Sequence, residues 1–468
     1  MDITTYDVST LKELILEQAL SVQAICQQFL DKIHRLDVDL HAFCTLDDAS
    51  VMQQALQLDV KRHNKKPLGP LFGVPIAIKD LLYTNKLRTT FGSALYQDFI
   101  PEEDDIVVAR LRAADAIILG KTNTTEFGYS AASHNRLFPP TRNPWDLSRT
   151  SGGSSAGSAA AVASALCPAA LGTDGGCSIR LPASFCGIVG FKPSFGVVPA
   201  YPASRVALPG ISSWETLQVI GPMSRTVNDA ALLMRVLAGA DPRDRWSGSL
   251  SSLSRQPEHP PVLKGKRIGL SLDLGYLDVD PEIQAVVYQA AKRFAKESGV
   301  HLETIDNTWP HAGQTFSTLV ILETDVEGLQ TLISNKKIPV SGYLKRLLRV
   351  KLESADYHRA LRTRTIITHH LQTLMTRYDF ILTPVTGILP FPAEEDEPLT
   401  IQGKATAFND WFGCCYPFNI TGQPAISLPA GKSKTGLPIG LQLVGNRLCD
   451  AELLQAARVF EAISPWGY

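Results

Sequence analysis

Along the first sixty residues the apolar positions recur at helical spacing. Leu11, Leu14 and Ile15 share one side of a segment that Ser9 or Thr10 can cap, and Ile25, Phe29 and Ile33 share one side of a second that begins at Ser21. A third helix is predicted over 48–63, closing on Lys61-Arg62. These three read as packing and coverage and are assigned no chemistry. From Pro67 the pattern changes: Pro70 to Lys79 is a short apolar strand with a lysine at its end. Residues 104–123 predict a helix followed by a strand, and Gly221–Asp229 leads into an apolar helix through Leu232, Leu233 and Val236. After a stretch rich in proline, serine and charge (241–262), read as a surface loop or linker, come a strand at 267–270, a helix from Pro281 to about 296 and a strand at 300–302. The strand Ile439–Gly445 and a helix from Ala451 close the chain. The alternation predicts an α/β sandwich with parallel neighbours. No internal repeat or low-complexity tract interrupts it.

Composition narrows the class of protein. The 468 residues are 44% apolar and 19% charged, ordinary for a globular chain, and the net charge of -1 offers no field for nucleic acid or anionic lipid. The opening Met1-Asp2-Ile3-Thr4 lacks a basic start with an apolar run, and no apolar stretch reaches the ~20 residues that span a bilayer. The eight cysteines show neither zinc spacing nor a disulfide framework, so they read as reduced thiols in a cytoplasmic protein.

Candidate chemistry concentrates in 151–193. The turn Gly152-Gly153-Ser154-Ser155-Ala156-Gly157 runs into a helix of small residues. A second turn, Asp174-Gly175-Gly176-Cys177, delivers Ser178 ahead of Ile179-Arg180. Small side chains let backbone amides approach a bound group, which is how an oxyanion site is made from main chain.

This stretch resembles the amidase signature family of serine hydrolases, through Gly152-Gly153-Ser154-Ser155, Gly172-Thr173-Asp174, Ser178-Ile179-Arg180, Pro182-Ala183, Phe185-Cys186-Gly187 and Gly190-Phe191-Lys192-Pro193. Gly73–Asp80, Lys121-Thr122-Asn123, Asn143-Pro144-Trp145 and Pro417–Pro429 are also similar to family landmarks. The resemblance implies one large α/β domain over 1–468, a mixed central sheet covered by helices on both faces. Its core motifs lie at 67–240 and 410–460, with a variable region at about 241–400; within it, 305–400 is where substrate selectivity is expected. It implies a Ser–cis-Ser–Lys triad: Ser178 as nucleophile, Ser154 as the bridging serine after a cis peptide from Gly153, and Lys79 as base. The backbone of Gly175, Gly176 and Cys177 would form the oxyanion hole. Alone, Lys79 would read as a lysine reaching solvent or pairing with an acid; beside the serine motifs it reads as a base made neutral by desolvation.

Several positions stay open. Ser155 either assists the relay or is a structural hydroxyl. Residues 122–130 either line the acyl pocket or form a structural loop. Asp174 and Arg180 are read as fixing the turn rather than as catalytic. The family usually has Gly where this chain has Cys177, and a larger residue where it has Gly175; if position 177 requires positive φ, cysteine is strained there, and its thiol is either reactive or passive. Gly153–Gly157 fits the Gly-x-Ser-x-Gly expression, but no strand-to-helix elbow supports a Ser–His–Asp hydrolase. The turn lacks the Gly-Lys-Ser/Thr ending of a P-loop. Cys414-Cys415 is read as packing rather than a thiol nucleophile. His358, His369-His370 and the run Glu394–Glu397 are not read as metal ligands, and no cofactor is expected.

The expected activity is hydrolysis of a carboxamide C–N bond to acid and amine or ammonia through an acyl-serine, with esterase side activity left open. The expected partner is a small amide, with no nucleic acid or membrane, and a homo-oligomer left open. One alternative is the glutaminase (A-type) subunit of a tRNA-dependent amidotransferase. The weaker resemblance after residue 240 favours the free-standing enzyme. An inactive binding protein on the same scaffold is the alternative of another class, and the filled triad positions argue against it.

Overall fold

The computed structural model describes residues 2–200, 208–211, 214–248, 263–305, 308–398, 400–405 and 409–466. Of the predicted linker 241–262, residues 249–262 lie outside the described residues.

The amino-terminal helices follow the apolar spacing. Val22–Leu40 starts behind Ser21, whose hydroxyl accepts the Ala24 N–H at 3.0 Å, and Ile25, Phe29 and Ile33 are all buried. The third helix, Asp48–His63, has the predicted bounds. The first helix, Val8–Leu16, begins earlier than Ser9 or Thr10 would allow. Asp7 is its cap, accepting the Thr10 N–H at 2.7 Å, because a carboxylate at that position reaches the third free amide of the helix.

Eleven strands form one mixed sheet. In chain order they are β1 (Phe43–Leu46), β2 (Pro75–Lys79), β3 (Ile117–Thr122), β4 (Ala169–Asp174), β5 (Val189–Lys192), β6 (Val219–Ser224), β7 (Arg267–Leu270), β8 (His301–Thr304), β9 (Phe380–Pro384), β10 (Ala425–Lys432) and β11 (Pro438–Val444). Their spatial order is β1-β3-β2-β4-β6-β5-β10-β11-β9-β7-β8. β2 pairs in parallel with β3 and β4, and β7 with β8 and β9; the remaining pairings are antiparallel.

Side chains alternate across this sheet, as a pleated strand requires. Ala77, Ala170 and Met223 face a core shared with the amino-terminal helices and the helix Ala156–Ala163. Ile76, Ile78, Leu171 and Ile220 face the opposite core, with the helices Val227–Leu237, Pro281–Ser298 and Asp450–Ile463. Both faces are therefore covered, and each fully buried Val, Leu, Ile or Met side chain contributes about 1.5–3 kcal/mol.

The 305–400 region supplies four helices, Gly313–Leu322, Val326–Lys336, Gly342–Leu347 and Ser354–Met375. They carry a third cluster, mixed aliphatic and aromatic, that includes Cys177, Trp214, Phe316 and Tyr416. The acidic run meets basic side chains: Glu394 pairs with Arg142 at 3.0 Å, Asp396 with the His134 ring, and Glu397 with Arg346 at 3.0 Å. Among the described residues no group of three or more His, Cys, Asp or Glu could hold a metal, and no helix is long and apolar enough to cross a membrane.

Candidate active site

The site lies at the carboxyl ends of two adjacent parallel strands. Register pairs Ile76 with Ala169 and Ile78 with Leu171, so Lys79 at the end of β2 and Thr173-Asp174 at the end of β4 emerge side by side. Carboxyl ends of parallel strands are the usual location of sites in α/β sheets. Lys79 is fully buried. Its Nζ donates to Ser154 Oγ at 2.7 Å, to Thr173 Oγ1 at 2.8 Å and, more weakly, to the Thr173 carbonyl at 3.4 Å. Burial lowers its pKa to about 7, against the opposing charge of Asp174 and the influence of Cys177.

Ser154 follows a cis peptide from Gly153. Its carbonyl accepts from Thr124 Oγ1 at 2.9 Å, so the 122–130 loop braces this turn. The Ser155 N–H donates to the Ser178 carbonyl at 3.2 Å, which ties the turn to the nucleophile candidate. Ser178 is 7% exposed. No hydrogen bond joins its hydroxyl to Ser154 or Lys79, so the structure forms the Lys79–Ser154 half of the expected relay and leaves the Ser154–Ser178 half open. Catalytic hydrogen bonds commonly tighten only around a bound substrate.

The Ser155 hydroxyl points elsewhere. It donates to the Thr173 carbonyl at 3.2 Å and accepts the Thr173 N–H at 3.3 Å, a strut on the backbone of β4.

The backbone N–H groups of Gly175, Gly176, Cys177 and Ser178 donate to no acceptor among the described residues. Consecutive amides without a protein acceptor are the kind of donor from which an oxyanion site is built. The turn is fixed from behind. Asp174 takes the Ile179 N–H at 3.1 Å, Arg180 Nε and Nη2 at 2.9 Å each, and Asn419 Nδ2 at 2.9 Å. Arg180 reaches on to the Cys415 carbonyl at 2.8 Å and Gln442 Oε1 at 2.7 Å. Burial pushes Asp174 upward, but the charge and hydrogen bonds of Arg180 outweigh it and hold the carboxyl at about 2. Both residues are engaged in this network, as the reading of a turn-fixing pair expects.

Position 177 does not have the left-handed backbone that would strain a cysteine, nor do 175 and 176. The Cys177 thiol is buried, and desolvation raises it well above its usual pKa, which describes a passive side chain. Cys415 is also buried, donates to the Val385 carbonyl at 3.2 Å and is pushed up to about 12 by burial. Neither thiol has the environment of a nucleophile.

Sequence reasoning misses Thr173, Asn419 and Gln442 as parts of the site, although Thr173 and Asn419 lie inside the family motifs. It also misses Trp214 and Phe316, whose rings lie directly on Gly175 and Gly176. No local pattern marks these two, since they arrive from other parts of the chain.

Fold and site together describe an α/β protein with a buried lysine–serine pair beside a glycine turn rich in free amides. The sequence matches the family model described as Amidase over residues 24–454, and the chain belongs to that family. It is 34% identical over 480 residues to the A-type subunit of the glutamyl-tRNA(Gln) amidotransferase of Moorella thermoacetica, covering 96% of this chain and 95% of that one. It is equally, 34%, identical over 454 residues to an acylamidase of Rhodococcus erythropolis, covering 96% and 93%. The crystal structure of a bacterial aryl acylamidase of the amidase signature family superposes with a TM-score of 0.88 at 29% identity, covering 98% of this chain and 96% of the other. The match runs through the regions where the family motifs are sparse.

Proposed function

We propose that this chain cleaves linear carboxamides to a carboxylic acid and an amine or ammonia through an acyl intermediate on Ser178. The observation that carries the reading is the contact of a buried Lys79 Nζ with Ser154 Oγ at 2.7 Å, beside four backbone amides with no acceptor among the described residues. A serine hydroxyl is not nucleophilic until a base takes its proton. Ser178 would attack the carbonyl carbon while its proton passes to Ser154 and the Ser154 proton passes to Lys79. The carbonyl oxygen would gather negative charge facing the amides of 175–178. The C–N bond would then break as the relay returns a proton to the leaving nitrogen, and water would hydrolyse the acyl-serine by the same route. All eight cysteines are unpaired, which fits a reducing compartment such as the cytoplasm.

A fluorophosphonate probe followed by peptide mass spectrometry tests the nucleophile. An adduct on Ser178, absent in S178A, is expected; an adduct on Cys177 or Cys415 overturns the assignment. A chain that neither labels nor cleaves any amide would instead be a binding protein on this scaffold.

A second reading, a glutaminase that works within a complex, is favoured by the similarity to the Moorella amidotransferase. A panel of aliphatic, aryl and amino-acid amides separates the two. The isolated chain is expected to cleave simple or aryl amides. Activity confined to glutamine, and only in the presence of partner proteins, would decide for the second reading.

A further inference from the structure

We infer that Thr173 is the positioning residue for Lys79: its hydroxyl and carbonyl oxygens hold the two N–H bonds of the neutral amine, so that the lone pair faces Ser154. The inference rests on the reading of Lys79 as the base and adds the residue that makes one orientation of that base productive.

A lysine ammonium carries three N–H donors and no acceptor. Three oxygens surround Nζ: Ser154 Oγ at 2.7 Å, Thr173 Oγ1 at 2.8 Å and Thr173 O at 3.4 Å. The charged form is matched donor for acceptor. Removing a proton leaves two N–H bonds and one lone pair. The Thr173 carbonyl cannot donate, so it retains an N–H. Of the two hydroxyls, one must take the second N–H and the other must donate to the lone pair. If Thr173 donates, Ser154 is an acceptor and cannot pass its proton on. If Ser154 donates, the relay runs. Only the second arrangement is productive.

The fold fixes where the two Thr173 oxygens stand beside Nζ. Threonine is restricted at χ1, and the residue is next to last in a buried strand whose N–H and carbonyl at this position are both bonded to the Ser155 hydroxyl. Ser155 thus acts on the site through Thr173. The titratable groups facing Lys79 are Asp174, committed to Arg180 and Asn419, and the buried thiol of Cys177. Neither hydrogen-bonds Nζ, so among the described residues Thr173 and Ser154 set its direction.

The test is the pH dependence of kcat/KM on one aryl amide for wild type, T173V and T173S, with K79M and the rate of fluorophosphonate labelling as the second measurement. In T173V, kcat is expected to fall about tenfold or more with KM nearly unchanged. The acid limb should move to lower pH by about one unit, because the ammonium loses a charge-assisted acceptor. T173S, which keeps the oxygen, should leave the limb where wild type has it. An unmoved limb in T173V, or the same shift in T173S, overturns the inference. T173A carries the same expectation if T173V does not fold. Labelling abolished in K79M with an unmoved limb in T173V would sink Thr173 alone; labelling of K79M at the wild-type rate would remove Lys79 as base, and Thr173 with it.

Discussion

The six-membered edge of the Trp214 indole fills the space that a side chain at Gly175 would need: a Cβ there would stand 2.3 Å from Trp214 Cε3 and 2.7 Å from Cζ3. Trp214 is itself wedged against Tyr129, with ring centroids 5.1 Å apart, so it has little room to retreat. Gly175→Ala is therefore expected to destabilise the fold by about 1–3 kcal/mol through overpacking. The loss should be read as a lower midpoint in denaturant. Combined with Trp214→Ala, the two changes should cost less than their sum, since the second removes what the first strikes. Additive losses would mean that the ring and the turn do not compete for this space.

With Lys79 as the proposed base, the acid side of the activity profile should follow its ionisation. Burial lowers its pKa to about 7 from the usual 10.5, with Asp174 and Cys177 opposing. Because the base must be neutral, kcat/KM should climb as pH rises through about 7 and level off above it. A rise centred near 10 would show an ordinary lysine. The same shift has a sign for stability. Between about 7 and 10.5 the unfolded chain binds a proton that the folded chain does not, so stability rises with pH across that window. Lys192, also buried and lowered to about 7, adds the same slope. Denaturant melts at pH 7 and 9 should show the rise in wild type and a smaller one in K79M.

Asp174 behaves in the opposite way. Held at about 2 by Arg180, below its ordinary 3.8, it contributes stability that is full above about 4 and is lost as pH falls through about 2. Asp174→Asn would leave the Arg180 guanidinium buried without its counter-charge. Such breaks typically cost about 3–5 kcal/mol. The variant should melt far below wild type and lose the acid-side slope; an unchanged midpoint would show that Asn419 and Gln442 suffice to hold Arg180.

What is legible in the sequence and what is hidden divide along a physical line. The amphipathic helix Val22–Leu40 and the strand ending in Lys79 are legible because their signals are local: a 3.6-residue period, a cap, an apolar run. The glycine turns are legible by type, and the family resemblance puts Lys79 and Ser154 together. The start of the first helix is not, because three potential caps, Asp7, Ser9 and Thr10, stand close together and only geometry selects Asp7. Thr173 stands within a family motif yet its role is hidden, because sequence does not say which side of β4 faces β2. Trp214 and Phe316 leave no signal at all. Their contacts with Gly175 and Gly176 join segments 39 and 140 residues apart in sequence (214 − 175 and 316 − 176).

Two adjacent serines make contacts of different kinds. The Ser154 hydroxyl touches Lys79 Nζ, whereas the Ser155 hydroxyl bonds only the main chain of Thr173. Ser154→Ala removes the hydroxyl through which a proton would pass and strips no backbone group of its partner. Its kcat should fall by about 10²–10⁴-fold, the usual worth of positioned proton transfer, while its melting midpoint should drop by no more than the loss of one hydrogen bond to Lys79 Nζ, about 1 kcal/mol. Ser155→Ala leaves a buried N–H and a buried carbonyl without this partner, which costs about 1–3 kcal/mol. Its midpoint should drop, and its kcat should fall much less than that of the neighbouring variant. Steady-state rates and denaturant melts on the two purified variants give all four numbers. Equal losses of rate would place both hydroxyls in the relay, and a larger loss in Ser155→Ala would move the bridging role from Ser154 to Ser155.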